Sequence, residues 1–224
     1  MRKIMILFLL VSTIGFSQET IKNEVGSFNE LKVFNGLNVS IEKGSTRSIE
    51  ISGKKADEVV VKNINGRLKL SMRFPETFNS DEVEITLFYS NDINVIDANE
   101  GSYIGSDGTL SQQNVELKTQ EGAIIDLDLD VKYLTVKSVT GGQVYTSGNA
   151  ENQDIEVTTG GAYKAYDLKS NYSTVMCASG GIVNINVSEL LDAKVRLGGK
   201  ILYKGSPKEV KTKKIIGGTI KSKD

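Results

Sequence analysis

Histidine and tryptophan are absent from this 224-residue chain, cysteine occurs once and proline twice. Without histidine there is no Ser-His-Asp or Cys-His couple, no imidazole general base and no imidazole metal ligand, so catalysis would rest on carboxylates, lysines or tyrosines. A single cysteine, Cys177, excludes an intramolecular disulfide. Alternation within Val175-Met176-Cys177 places its thiol inside, as a structural rather than a reactive group. Two prolines against 22 glycines fit an all-β chain full of turns better than a disordered one. A net charge of −1 implies no polyelectrolyte partner, nucleic acid included. No apolar run is long enough for a transmembrane helix.

The longest such run, Ile4 to Phe16, follows Met1-Arg2-Lys3 and reads as the core of a secretory signal. Gly15 and Ser17 supply small residues at positions −3 and −1, so cleavage is expected before Gln18, leaving 18–224 as one domain. No cysteine follows that would take a lipid. The expected location is therefore outside the cytoplasm: periplasm, cell surface or medium.

Residues 26–90 form a lead section with period-two segments at Leu37-Val39-Ile41, Ile49-Ile51, Val59-Val61 and Leu68-Leu70-Met72, and a further strand from Val83 to Phe88. Period two means strands with one buried face. Turn residues separate them, and Asn65-Gly66 is a hairpin signal because both residues tolerate positive φ. Pro75 and Asn79-Ser80-Asp81 interrupt the pattern. With no linker after Tyr89, this section is expected to cap or begin the repetitive region that starts at residue 93.

From residue 93 to 221 glycines recur at Gly101, Gly122, Gly142, Gly161, Gly181, Gly199 and Gly218, with gaps of 21, 20, 19, 20, 18 and 19 residues. The later ones sit in Gly-Gly pairs and the first two in Glu-Gly. Two positions on stand Tyr103, Ile124, Val144, Tyr163, Val183, Ile201 and Ile220, all apolar or aromatic. A period near 20 with an apolar residue in constant phase is what a β-solenoid needs, each coil burying its inward side chains on those of its neighbours. The glycines are expected at the corners, the residue two later inside, and each coil reads as strand, glycine turn, strand, loop. Apolar pairs precede each glycine: Ile93/Val95, Val115/Leu117, Leu134/Val136, Ile155/Val157, Val175/Cys177 and Val195/Leu197.

From Lys194 onward the chain carries ten basic residues against Glu209 and Asp224, a net +8, leaving about −11 for the rest of the exported chain. Such a cluster protects the open end of a stack against end-to-end pairing. Alternatively, Lys208, Lys211, Lys213 and Lys214 contact an anionic surface.

The most enzyme-like feature is Asp126-Leu127-Asp128-Leu129-Asp130, which aligns three carboxylates on one strand face at roughly 7 Å intervals. These could hold Ca²⁺ or act as a glycosidase pair. The simpler reading makes them the solvated side of a strand, loosely paired with Lys118, Lys137 and Lys164. Ser138, Thr140, Thr158, Thr159 and Ser179 lack an activating histidine and read as corner hydroxyls bridging backbone groups. The Gly-Gly pairs lack the helix start of a phosphate loop. Tyr103, Tyr145, Tyr163, Tyr166 and Tyr203 could line a sugar-binding face, although Tyr103 and Tyr163 have the phase of core residues. No catalytic, cofactor or metal residue is assigned.

Three stretches resemble the putative auto-transporter adhesin, head GIN domain family of secreted bacterial proteins: Phe34-Asn35-Gly36-Leu37-Asn38-Val39-Ser40-Ile41-Glu42-Lys43-Gly44 with Ile49-Glu50-Ile51-Ser52-Gly53, the Gly-Gly repeats, and Gly199-Lys200-Ile201-Leu202-Tyr203-Lys204-Gly205-Ser206-Pro207. The resemblance covers roughly residues 28–221. Thr-Gly-Gly and Ser-Gly-Gly replace the usual Ser-Gly-Ser-Gly corners, and Leu37 stands where Ile would give the family its name. The resemblance implies a single-stranded, right-handed, pectin-lyase-like parallel β-helix with an N-terminal cap, associated with the cell envelope, with no established catalytic residue. Expected function is that of a non-catalytic binding or adhesion module with a glycan or another envelope component as partner. The alternatives are a carbohydrate-active enzyme using Asp126, Asp128 and Asp130, or a purely structural periplasmic protein.

Overall fold

The computed structural model describes residues 20–74 and 83–223. The expected signal, 1–17, and the interruption at Pro75 and Asn79 to Asp81 lie outside the described residues. The lead section contributes β1 (Ile21–Glu24), β2 (Glu30–Val33), β3 (Asn38–Lys43), β4 (Ser48–Gly53), β5 (Val59–Ile64), β6 (Arg67–Met72) and β7 (Val83–Tyr89). The repeats contribute β8 (Val95–Ala98), β9 (Tyr103–Gly105), β10 (Leu110–Thr119), β11 (Ile124–Ser138), β12 (Gln143–Val157), β13 (Ala162–Cys177), β14 (Ile182–Arg196), β15 (Lys200–Lys204), β16 (Glu209–Ile215) and β17 (Thr219–Ser222). All belong to one hydrogen-bonded sheet wound into a parallel β-solenoid.

The stack does not follow chain order at its start. Strands β2 and β3 already form a coil, since they pair in parallel with β8 and β9 of the first repeat. Strands β6 and β7 lie on their far side, also parallel. Beyond these the direction reverses: β5 pairs antiparallel with β6, and β4 with β7 and β1. The β5–β6 hairpin turns at Asn65-Gly66 with φ of 52° and 81°, the two positive values a tight hairpin requires. Antiparallel strands thus cover the edge that the first parallel coil would otherwise leave open.

Each corner is a pair of left-handed residues. The pairs are Asn35-Gly36, Glu100-Gly101, Glu121-Gly122, Thr140-Gly141, Thr159-Gly160, Ser179-Gly180, Leu197-Gly198 and Ile216-Gly217. The corners also hydrogen-bond along the stack: Gly101 N donates to Glu121 O at 3.0 Å and Gly160 N to Ser179 O at 3.1 Å. The expected glycines do lie at corners, but the phase of the first two needs correction. Gly101 and Gly122 are equivalent to Gly141 and Gly160, not to Gly142 and Gly161. The inward residues there are consequently Ile104 and Ile125, which stack in register with Val144, Tyr163, Val183 and Ile201, all fully buried. Tyr103 faces outward, 37% exposed, and Ile124 stacks beside it. Before the first repeat corner Ile93 is buried as expected, but Ile96 and Ala98 rather than Val95 continue the inward row; in the last long strand Val195 is inward as expected, with Ala193 rather than Leu197 beside it. Leu197 is itself a corner residue with φ of 47°.

A second correction concerns the loop expected in each coil. Strands β11 to β14 run unbroken for 15 or 16 residues from one corner to the next. They bend where alternation is interrupted by two consecutive outward residues, as at Lys132-Tyr133, Glu151-Asn152 and Asn171-Tyr172. The flanking residues Val131 and Leu134, Ala150 and Gln153, Ser170 and Ser173 all point into the core. The ladder skips only the first residue of each bend, Lys132, Glu151 and Asn171, and resumes in the same register at the next, so the strand turns without a loop.

Cys177 is fully buried between Val157 and Val195. Burial pushes its pKa up to about 11, against a smaller opposing effect of backbone hydrogen bonding at Lys200. Native protein is expected to leave a disulfide thiol reagent unreacted over the time in which urea-unfolded protein reacts completely. Because the folded pKa lies above the unfolded one, this group's contribution is complete below pH ~9 and is lost as pH rises toward about 11. Cys177→Ala should flatten the stability profile in that window.

Candidate binding surface

Because every coil repeats the same bend, outward side chains form rows along the solenoid at the strand spacing of about 4.8 Å. On one side of the bend run the rows Tyr133, Asn152, Tyr172 and Thr135, Asp154, Thr174. They line a shallow cleft of about 280 Å³. Tyr133 and Tyr172 are 45% and 44% exposed, large aromatic surfaces left in water at equivalent places two coils apart. On the other side, the row Asp130, Asn149, Lys169, Asn186, with Glu151 and Asn171 at the bend, borders a wider polar cleft of about 640 Å³.

Behind the bend lies a buried polar network. The Tyr163 hydroxyl donates to Gln153 Oε1 at 2.7 Å and lies 3.0 Å from Thr146 Oγ1. Ser170 and Ser173 share a hydrogen bond at 3.0 Å, and Ser170 Oγ donates to the Asn186 carbonyl at 2.8 Å. Gln153 and Ser173 directly follow Asn152 and Tyr172 in sequence, so the network fixes the backbone beneath both clefts from inside.

Toward the N-terminal coils the outer face carries a mixed charge ladder. Arg67 reaches Glu30 at 2.7 Å, while Lys32 spans Glu30 at 3.4 Å and the buried Asp97 at 2.9 Å. Lys118 and Lys137 both pair with Glu116, at 3.0 and 2.9 Å. Burial alone would raise the pKa of Glu30 and Glu116, but the hydrogen bonds and charges of these partners outweigh it and hold both below the usual carboxylate value. Their stabilisation is present at neutral pH and is lost as pH falls through the depressed folded values.

The aspartate ladder is placed as the simpler reading has it. Leu127 and Leu129 are in the core, and Asp126, Asp128 and Asp130 point outward. Asp128 accepts hydrogen bonds from Thr109 Oγ1 at 2.7 Å and Ser147 Oγ at 3.2 Å. The expected pairing with lysines is corrected: Lys118 and Lys137 lie on the other face with Glu116, and Lys164 donates to the Tyr145 hydroxyl at 2.7 Å. Among the described residues no group of three or more acidic or thiol side chains is arranged to hold a metal ion. Ser138 bridges as expected, donating to the Gly142 carbonyl at 2.7 Å and accepting from Thr119 Oγ1 at 3.0 Å.

The five tyrosines named from sequence are not brought together as one face. Tyr163 is core, Tyr103 is outward, and Tyr145 and Tyr166 lie under Lys164 and Lys204 at 4.6 and 4.7 Å. Tyr133 and Tyr172, the exposed pair, escaped the sequence reading; their sequence signal is the recurrence of Tyr-Leu-Thr as Tyr-Ser-Thr two coils later. The four lysines of the basic end are also dispersed. Lys208 is paired with Glu189 at 2.8 Å and Lys211 with Glu209 at 3.1 Å, while Lys213 and Lys214 alternate across β16. Lys214 stacks on Val195, at a position that is core in the preceding coils, and puts a charge where a further strand would pack.

Solved structures of several bacterial proteins share this architecture. A putative adhesin from Bacteroides fragilis superposes with a TM-score of 0.83 at 24% identity, covering 92% of this chain and 97% of that one. A putative adhesin from Parabacteroides merdae gives 0.68 at 19%, covering 94% and 98%. A putative lipid binding protein from Parabacteroides distasonis gives 0.68 at 15%, also covering 94% and 98%. No curated protein matches the chain. The model of one family matches residues 27–207, from just before β2 to just after β15. The chain belongs to the family described as putative auto-transporter adhesin, head GIN domain.

Proposed function

We propose that this protein is an exported, non-catalytic binding module that attaches to a component of the bacterial cell envelope. The observation that carries the reading is the construction of the outer faces. Side chains from three or more successive coils stand in register and border open polar clefts of about 640 and 280 Å³, a geometry suited to an extended ligand lying across several coils. The family's adhesin description and the basic leader at Met1-Arg2-Lys3 support export and attachment. Among the described residues no helix is long and apolar enough to cross a membrane. The lysine-rich last coils add a salt-sensitive attraction to acidic envelope components.

Purified residues 18–224, mixed with isolated bacterial envelopes and centrifuged, should sediment with them saturably. High salt should weaken the association without abolishing it. Protein that stays in the supernatant with every envelope preparation tried would contradict the reading.

A further inference from the structure

We infer that the cleft between Tyr133 and Tyr172 is a binding site for a neutral glycan chain, running parallel to the solenoid axis. The inference rests on the envelope-binding reading above and names the chemistry of one site within it. Tyr133, Asn152 and Tyr172 occupy the same register position in three consecutive coils. The two rings therefore stand about 9.6 Å apart along the axis, twice the strand spacing, with an amide between them. Thr135, Asp154 and Thr174 form a parallel row beside them, so each coil supplies one bend residue and one small polar residue.

That grid matches what a pyranose chain offers. Each sugar ring has a C–H face that packs on an aromatic ring, and an edge of hydroxyl groups that both donate and accept. Asn152 provides a donor and an acceptor, Thr135 and Thr174 provide hydroxyls, and Asp154 accepts two hydrogen bonds. A chain of sugars set along the axis can place alternate rings on Tyr133 and Tyr172 while the ring between them meets Asn152 and Asp154. The occupant's charge follows from the surroundings: Asp154 lines the cleft and the Lys132 ammonium stands 5.4 Å from the Tyr133 ring centroid, so the charges at the site offset one another and a neutral chain is favoured over a polyanion. An acyl chain would strand the amide and carboxylate without partners. The backbone beneath the cleft is pinned by Gln153, Ser170, Ser173 and Tyr163 from inside, so the spacing of the two tyrosine positions is set by the coil.

The test is calorimetric titration of residues 18–224 with neutral hexasaccharides of β-1,4-glucose, β-1,3-glucose, β-1,4-mannose and β-1,4-N-acetylglucosamine. Tyrosine fluorescence provides a second readout that no tryptophan obscures. At least one hexasaccharide should bind. Tyr133→Ala and Tyr172→Ala should each weaken it about tenfold, Asn152→Ala should weaken it as well, and Tyr145→Ala, outside the cleft, should leave it unchanged. Far-ultraviolet circular dichroism of each variant separates loss of binding from loss of fold. Binding untouched by Tyr133→Ala and Tyr172→Ala would overturn the site while leaving the envelope reading intact. Failure of every hexasaccharide to bind, with envelopes or lipid vesicles still retained, would overturn the glycan assignment.

Discussion

Gly161→Val is expected to cost more than ~3 kcal/mol of folding stability, enough to lower expression or solubility, whereas Gly160→Asn, one residue earlier, should cost ~1 kcal/mol or less. The two glycines of a corner answer different demands. Gly160 has φ of 71°, and a Cβ there would meet nothing within 4 Å, so what it supplies is backbone conformation, which asparagine can also adopt. At Gly161 a Cβ would collide with the carbonyl of Ser138 in the preceding coil. That carbonyl is backbone within the ladder and cannot move aside without separating two coils. Gly142 and Gly199 are crowded in the same way, against Thr119 and Cys177 at 2.7 Å. Ala123 holds the equivalent place in an earlier coil, so Gly161→Ala should fall between the two, at ~1–3 kcal/mol. Urea unfolding of the three variants checks the order, and equal costs at the two glycines would refute it.

Tyr163→Ala should cost ~3–5 kcal/mol and Tyr163→Phe ~1–3 kcal/mol. Tyr163 is the largest fully buried side chain among the described residues, and its ring fills the space between the two walls of the coil. Removing the ring leaves a cavity that the laddered backbones on both sides cannot close. Removing only the hydroxyl leaves Gln153 Oε1 without its 2.7 Å donor, and Thr146 without a partner, in a site closed to water. Burial raises the Tyr163 pKa well above the usual value, with a smaller opposing effect from Thr146. The unfolded chain therefore loses this proton first as pH rises. Stability carried by the neutral phenol is complete below pH ~10 and falls above it, and Tyr163→Phe should be less sensitive to pH in that range. A Tyr163→Phe protein as stable as wild type across both urea and alkaline titrations would mean the hydroxyl has no structural partner.

Much of the architecture was legible because solenoid physics repeats itself. Period-two segments became strands, Asn65-Gly66 became a hairpin, and seven glycines near a 20-residue period marked corners. What went astray has a physical cause at named residues. In the first two repeats the second corner position is Ser102 and Ala123 rather than glycine, so a count of glycines locks onto Gly101 and Gly122 and arrives one residue early. The invariant of a corner is its positive-φ pair, which also includes Asn35-Gly36 in the lead section. The bends were invisible because they need no glycine or proline. Two outward residues in a row, such as Lys132-Tyr133, turn the strand while the ladder skips one residue and resumes in register. The exposed tyrosines were missed with them, since a residue assigned to a loop has no register. Asp126, Asp128 and Asp130 could be read correctly as a solvated row because Leu127 and Leu129 between them fix the phase.

The proposed function stands or falls on one property: the solenoid binds through the outer faces of its coils and leaves its ligand chemically unchanged. A glycan array probed with residues 18–224, with the retained glycans then assayed for newly released reducing ends, tests both halves together. Retention on neutral glycans with no release is the expected result. Release of reducing ends that disappears in Asp128→Asn would contradict the non-catalytic reading, and no retention on any glycan would contradict the glycan assignment.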